Sequence, residues 1–164
     1  MFESVRVGGP AVPDVLVVAH FQNPASEASA HFVVDRDGTI YQCVSTLKAA
    51  WTNGDVRAPR RDIPALAAVL PTVRGAGGWI NFNDFCVTIE YHGLPELGVT
   101  EAQYASGIAL AAYVRDRYGV SPHRGGQLQH ADVNPETRAH CPGPRFDLAR
   151  VIRGIGGDPA RLTA

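Results

Sequence analysis

The 164-residue chain is 45% apolar and 19% charged, with a formal net charge of −1. That balance is globular rather than disordered, and too near neutrality for broad attraction to nucleic acid or to an anionic membrane. No apolar run is long enough to cross a bilayer, and residues 1–6 lack the charged and apolar regions of a secretory signal, so the expectation is a protein made and kept in the cytoplasm, without membrane insertion.

In chain order, the apolar run 15–20, which follows Pro13 and ends on His20, reads as a buried strand. Residues 24–30 are small and polar, suited to a loop or a short helix. Residues 31–34 and 39–44 read as two strands around the turn Asp35-Arg36-Asp37-Gly38, with Gly38 supplying a positive φ. Residues 63–70 have helical spacing, with Asp62 as N-cap and Pro71 as stop, and 75–78 form a glycine-rich loop. Residues 85–91 read as a strand. Thr100-Glu101-Ala102-Gln103 is a capping box that opens a helix running to Tyr118 and stopped by Gly119, with Tyr104, Ile108, Ala111, Ala112 and Val114 facing inward. Residues 121–129 are loop, and 146–153 a last helix ended by Gly154. The fold class expected is α/β: a single domain with a central mixed β-sheet flanked by helices, after a lead-in at 1–13, covering 14–154 and followed by a loose tail at 155–164.

The chemistry concentrates in two places. His130 and Cys141 stand eleven residues apart in a Pro-interrupted segment, and His20 ends the first expected strand. Two imidazoles and a thiol can bind one zinc ion and leave its fourth position to water, the mark of a catalytic rather than a structural site. Three cysteines are too few for a disulfide framework, and Cys43 and Cys86, in apolar stretches, read as buried small hydrophobes.

Five blocks carry a family resemblance: 17–20 as a first strand with its His; 28–42, containing His31 and the Asp-Arg-Asp-Gly turn; Ala50-Trp51-Thr52-Asn53-Gly54; 83–90, ending on Glu90; and 130–135 with 141–144. Together they resemble the zinc N-acetylmuramoyl-L-alanine amidases, a family that includes phage endolysins, bacterial recycling amidases and peptidoglycan recognition proteins. The resemblance implies an amidase or peptidoglycan-recognition-protein-like fold with Zn2+ held by His20, His130 and Cys141. It places the general base at Glu90, and Trp51 and Asn53 along the substrate groove. His92, two residues after Glu90 on the same strand face, reads either as lining that groove or as a plain polar strand residue. A thiolate at Cys141 suits zinc. His31 reads as structural, and Trp79 as a core aromatic.

The chain also departs from the family pattern. Thr52 stands where the family has a His in Trp-His-Ala-Gly, and Ala139 stands where it has the lysine that steadies the oxyanion. Arg138 or His140 could replace that lysine. The implied activity is hydrolysis of the amide between N-acetylmuramic acid and L-alanine, by a monomer acting on peptidoglycan or muropeptides. Two settings are open: a phage endolysin released from the host cytoplasm through a holin pore, and a cytoplasmic recycling enzyme. Two other classes stand beside the enzyme. One is a non-catalytic peptidoglycan-binding module; the other is a structural zinc module, with His140 as fourth ligand.

Overall fold

The sheet is organised around a tight hairpin. In the computed structural model, which describes residues 5–7, 16–54, 56, 59–67 and 82–163, strands β2 (Phe32–Val34) and β3 (Ile40–Gln42) pair antiparallel, Phe32 opposite Gln42. Asp35 closes the turn by accepting from Gly38 N at 2.8 Å and donating to Thr39 O at 2.8 Å. Gly38 has φ +88°, and a Cβ there would lie 2.9 Å from Ser106 Oγ and 3.0 Å from Ala102 O. The glycine thus serves both the turn and the approach of the long helix.

β1 (Val5–Val7) pairs antiparallel with β3, and β4 (Ile89–Tyr91) pairs parallel with β2, giving the order β1-β3-β2-β4. The sheet is mixed, as expected. The segment read as a lead-in therefore contributes an edge strand. The strand expected over 85–91 is shorter, because Phe82–Phe85 form a 3-10 turn before it.

One expectation is overturned. The expected strand over 15–20 is replaced, from residue 16 on, by a helix: residues Leu16–Gln22 form α1. Val17, Val18 and Phe21 pack on Val33, Tyr41 and Cys43, while Ala19 and His20 are exposed. A five-residue apolar run cannot by itself distinguish a buried strand from a buried helix turn; here the inward positions 17, 18 and 21 follow the helical period.

Helix α2 (Glu101–Tyr118) covers the other face of the sheet. Its capping box is present, with Thr100 Oγ1 accepting from Gln103 N and Gln103 Oε1 from Thr100 N, both at 3.1 Å, and Gly119 ends it in the left-handed conformation. Gln103 is buried, and its Nε2 also donates to Val34 O and His92 O, at 3.1 and 2.8 Å, tying the helix start to the ends of β2 and β4. The buried face includes Tyr104, Ala111 and Val114, as expected, and also Gly107 and Leu110. It is wider than one stripe because α2 packs on two partners. Leu110 meets Phe32 and Val34, whereas Tyr104 and Ala111 meet Val151 and Ile155, at and beyond the helix Leu148–Gly154. β2 is consequently buried on both faces, as in an α/β sandwich.

Residues 64–67 are helical. The remainder of the expected 63–70 helix, the 75–78 loop and Trp79 lie outside the described residues. Short helices α3 (His130–Val133) and α4 (Pro135–Arg138) precede α5 (Leu148–Gly154), which Asp147 caps. The tail expected to be loose is tied down: Gly157 N donates to Ile152 O, and Gly125 N to Arg161 O.

Candidate active site

Two segments far apart in sequence meet around a cavity of about 860 Å³, lined by Glu90 and His92 from the β4 side and by His130, Arg138, His140 and Cys141 from the α3–α4 side. The second segment is closed on itself by its main chain. Cys141 N donates to Arg138 O at 2.9 Å, and Ala131 N to Cys141 O at 3.2 Å, which sets Cys141 beside the start of α3. The loop is anchored from below. Arg124 Nη2 donates to both carboxylate oxygens of the buried Asp132 at 2.8 Å, Arg60 Nη1 to one of them at 3.2 Å, and Gln129 N to Oδ2 at 2.8 Å.

His130 is oriented by the chain opposite. The Asn53 backbone acts on its ring as a hydrogen-bond partner, while its buried Nε2 has no partner among the described residues. With Nδ1–H turned to that backbone, the Nε2 lone pair would be free. This is how a metal-ligating imidazole is usually held. Burial holds His130 below the usual imidazole range; the Asn53 bond opposes that shift and the Arg138 guanidinium reinforces it. Burial and the Glu90 charge push the Cys141 thiol up, with Arg138 opposing. A bound divalent cation would reverse that balance and favour the thiolate.

Asn53 is fixed in turn by Asn83, whose Oδ1 accepts from Asn53 N at 2.9 Å, Asn53 Nδ2 at 2.8 Å and Thr52 N at 3.2 Å. Thr52, at the family's His position, turns its hydroxyl inward: it donates to Ser29 O at 2.6 Å and lies 2.9 Å from Thr88 Oγ1. His31 completes this network. Its Nε2 donates to Lys48 O at 2.9 Å and its Nδ1 accepts from Thr88 N at 3.1 Å, so it is structural, and burial lowers its pKa. Nothing in the sequence taken alone marked Asn83 or Thr88 as supports; their roles arise from contacts 30 to 57 residues away.

Glu90 lies opposite Val33, on the face of the sheet away from α2. Burial raises its pKa, and His92 partly offsets this. His92, two residues on and so on the same face, is held by Asp35, with Nδ1 2.7 Å from Oδ1. Asp35 therefore does more than serve the turn. Cys43 and Cys86 are pushed up to about 11 by burial and are unsuited to act as thiolates near neutrality.

The structure gathers Glu90, His92, Asn53, His130, Arg138, His140 and Cys141 around one cavity. It does not bring in two of the expected residues. Trp51 is 58% exposed and is not among the lining residues. His20 sits in the last turn of α1 with its side chain in solvent, so it does not join His130 and Cys141, and among the described residues no three His, Cys, Asp or Glu side chains form a group able to hold a metal. His130 and Cys141 offer the nitrogen and sulfur that zinc prefers and fit the ion, and His20 lies apart from them.

Residues 11–144 match the family model described as N-acetylmuramoyl-L-alanine amidase. The chain is 30% identical over 141 residues to the 1,6-anhydro-N-acetylmuramyl-L-alanine amidase AmpD of Escherichia coli (strain K12), covering 85% of this chain and 62% of that protein. It is 32% identical over 122 residues to AmpD of Citrobacter freundii, covering 74% and 54%. The crystal structure of a selenomethionine AmpD derivative superposes with a TM-score of 0.57 at 30% identity, over 78% of this chain and 60% of that one. The chain thus spans less than two thirds of the length of these relatives, and within that span it belongs to the N-acetylmuramoyl-L-alanine amidase family.

Proposed function

We propose that this domain hydrolyses the amide joining N-acetylmuramic acid to L-alanine, and that its substrates are soluble, 1,6-anhydro-type muropeptides of wall recycling rather than the intact wall attacked by a phage endolysin. The single observation carrying the reaction class is the orphaned Nε2 of His130 in one cavity with Cys141 and Glu90. The substrate reading is supported by relatives named as 1,6-anhydro-N-acetylmuramyl-L-alanine amidases. No helix among the described residues is long and apolar enough to cross a membrane.

His130 and Cys141 would hold zinc, which when bound supplies Lewis-acid polarisation of the scissile carbonyl. Glu90 takes the proton of the attacking water and passes it to the departing amine of L-alanine. Its burial suits it to both halves of that transfer by weakening its acidity. Arg138 stands in for the family lysine as donor to the oxyanion: it lines the same cavity, and its charge acts on both His130 and Cys141. Asn53 and His92 line the substrate side of the cavity.

The test is release of free L-alanine amino termini from 1,6-anhydro-muramyl peptides and from intact sacculi. Turnover of the soluble substrate is expected, with a loss of roughly 10²–10⁴ in Glu90→Gln. Exclusive action on sacculi would return the endolysin reading, and full activity in Glu90→Gln would remove that residue from the chemistry.

A further inference from the structure

The aromatic expected in the substrate groove, Trp51, stands outside the cavity. Of the exposed aromatic side chains among the described residues, Trp51, Phe85, Tyr113 and Tyr118, Phe85 is the one that lines it. Phe85 is 52% exposed, and a phenyl ring left half in water at a cavity wall offers apolar area that a ligand can cover.

The turn that carries Phe85 is held on both sides. Phe82 packs on Ile63, Leu66 and Val133, and the buried Asn83 accepts from Thr52 N and from two donors of Asn53. Cys86 Sγ lies 3.5 Å from Phe82 O and 3.3 Å from Asn53 Nδ2. The ring is therefore presented from a fixed backbone, and little ordering remains for binding to supply.

Charge separates the two ends of the cavity. Thr52, Asn53, Phe85, Cys86, Val87 and Thr88 line one end, and none of them is charged near neutrality, the Cys86 thiol being pushed up to about 11 by burial. The exposed Asp84 beside Phe85 disfavours an anion there. Past Glu90, the other end gathers His92 on Asp35, Arg36 on Gly98 O, and Arg145 against Gly98, with the exposed Glu96. The two halves of the substrate differ in the same way. The muramyl sugar, its lactyl carboxyl taken up in the amide, is neutral and has a C–H face; the peptide keeps an ionised terminal carboxyl.

We propose that Phe85 is the sugar-binding residue of the site, its ring stacking on the C–H face of the N-acetylmuramyl unit, so that the substrate lies with its sugar over the 82–88 turn and its peptide toward 92–98. The proposal rests on the reading of a muramyl amide as substrate and adds to it a direction and a residue that selects for the sugar.

The test compares an anhydro-muramyl peptide with the corresponding D-lactyl peptide, which has the same scissile amide and no sugar. Phe85→Ala is expected to raise KM for the muramyl peptide about tenfold with kcat nearly unchanged, to leave the lactyl peptide unaffected, and to keep the wild-type unfolding midpoint. Phe85→Tyr, which keeps the ring face, is expected to restore KM. A second measurement needs no turnover: 1,6-anhydro-N-acetylmuramic acid is titrated with protein, and its ring C–H proton signals are expected to move upfield with wild type and not with Phe85→Ala.

An unchanged KM in Phe85→Ala, an equal rise for the lactyl peptide, or a rise in Trp51→Ala in its place would overturn the proposal while leaving the amidase reading intact. Wild-type protein that hydrolyses neither peptide would overturn the proposed function; the sugar titration then decides the role of Phe85 by itself, and the absence of an upfield shift with wild type would overturn that role.

Discussion

Asn83 is the residue through which the architecture of the candidate site can be tested without touching the site itself. Its Oδ1 accepts three hydrogen bonds, and the residue is 5% exposed. In Asn83→Ala, Thr52 N keeps Ala50 O at 3.0 Å, and Asn53 Nδ2 keeps Cys86 Sγ at 3.3 Å, but Asn53 N is left without its acceptor in a buried position. A stranded buried amide costs about 1–3 kcal/mol, and two weakened bonds add roughly 1 kcal/mol, so the loss expected is about 2–4 kcal/mol. Asn83→Asp keeps an acceptor oxygen and is expected to lose less. Because Asn53 also orients His130, the alanine variant is expected to bind zinc about 10–100-fold more weakly. Urea unfolding with unchanged m-value, run beside chelator competition, measures both. An alanine variant with wild-type midpoint and wild-type zinc affinity would show that the Asn83–Asn53–His130 chain supports nothing.

Three further outcomes are expected. The folded-state pKa of His31 is lowered by burial, so its contribution to stability is present above the unfolded value near 6.5 and is lost as pH falls through the folded value. His130 acts in the same direction in metal-free protein, and the unfolding free energy of apoprotein is therefore expected to fall below pH 6.5 by up to about 1.4 kcal/mol per pH unit for each histidine; a flat profile from pH 7 to 5 refutes this. Gly107→Ala places a Cβ 2.0 Å from Tyr91 Oη and 2.7 Å from its Cζ, so α2 must shift from β4, at a cost of about 1–3 kcal/mol by thermal or urea unfolding. Asp132→Ala leaves the nearly buried Arg124 without its carboxylate and is expected to cost about 3–5 kcal/mol, with a matching loss of order in the His130–Cys141 segment by hydrogen exchange; protection unchanged at Ala131 and Cys141 would show that the ion pair does not hold the loop.

What could be read from the chain was local. The Asp35–Gly38 turn, the capping box at Thr100 and the stop at Gly119 each depend on hydrogen bonds, main-chain or side-chain, that span no more than four residues, and all three are present. The closing segment is similar in kind: an imidazole and a thiol eleven residues apart need only a short loop folded back by main-chain bonds. Contacts spanning tens of residues carry no such local mark, which is why Asn83 and the Asp35–His92 pair emerge only from the fold.

His20 shows how one local choice propagates. In a strand, residues two apart share a face, so His20 would follow Val18 toward whatever Val18 faces. In a helix the same two residues stand about 200° apart, and burying Val18 sends His20 to the far side. Five apolar residues permit either conformation; the packing of Val18 and Phe21 on β2 and β3 selects the helix. The residue at position 20 has the chemistry of a metal ligand, and in this structure its helix directs it to solvent. Closure of one segment on itself carries His130 and Cys141 to the same cavity, whereas the direction of His20 depends on the secondary structure of a short apolar run 110 residues away.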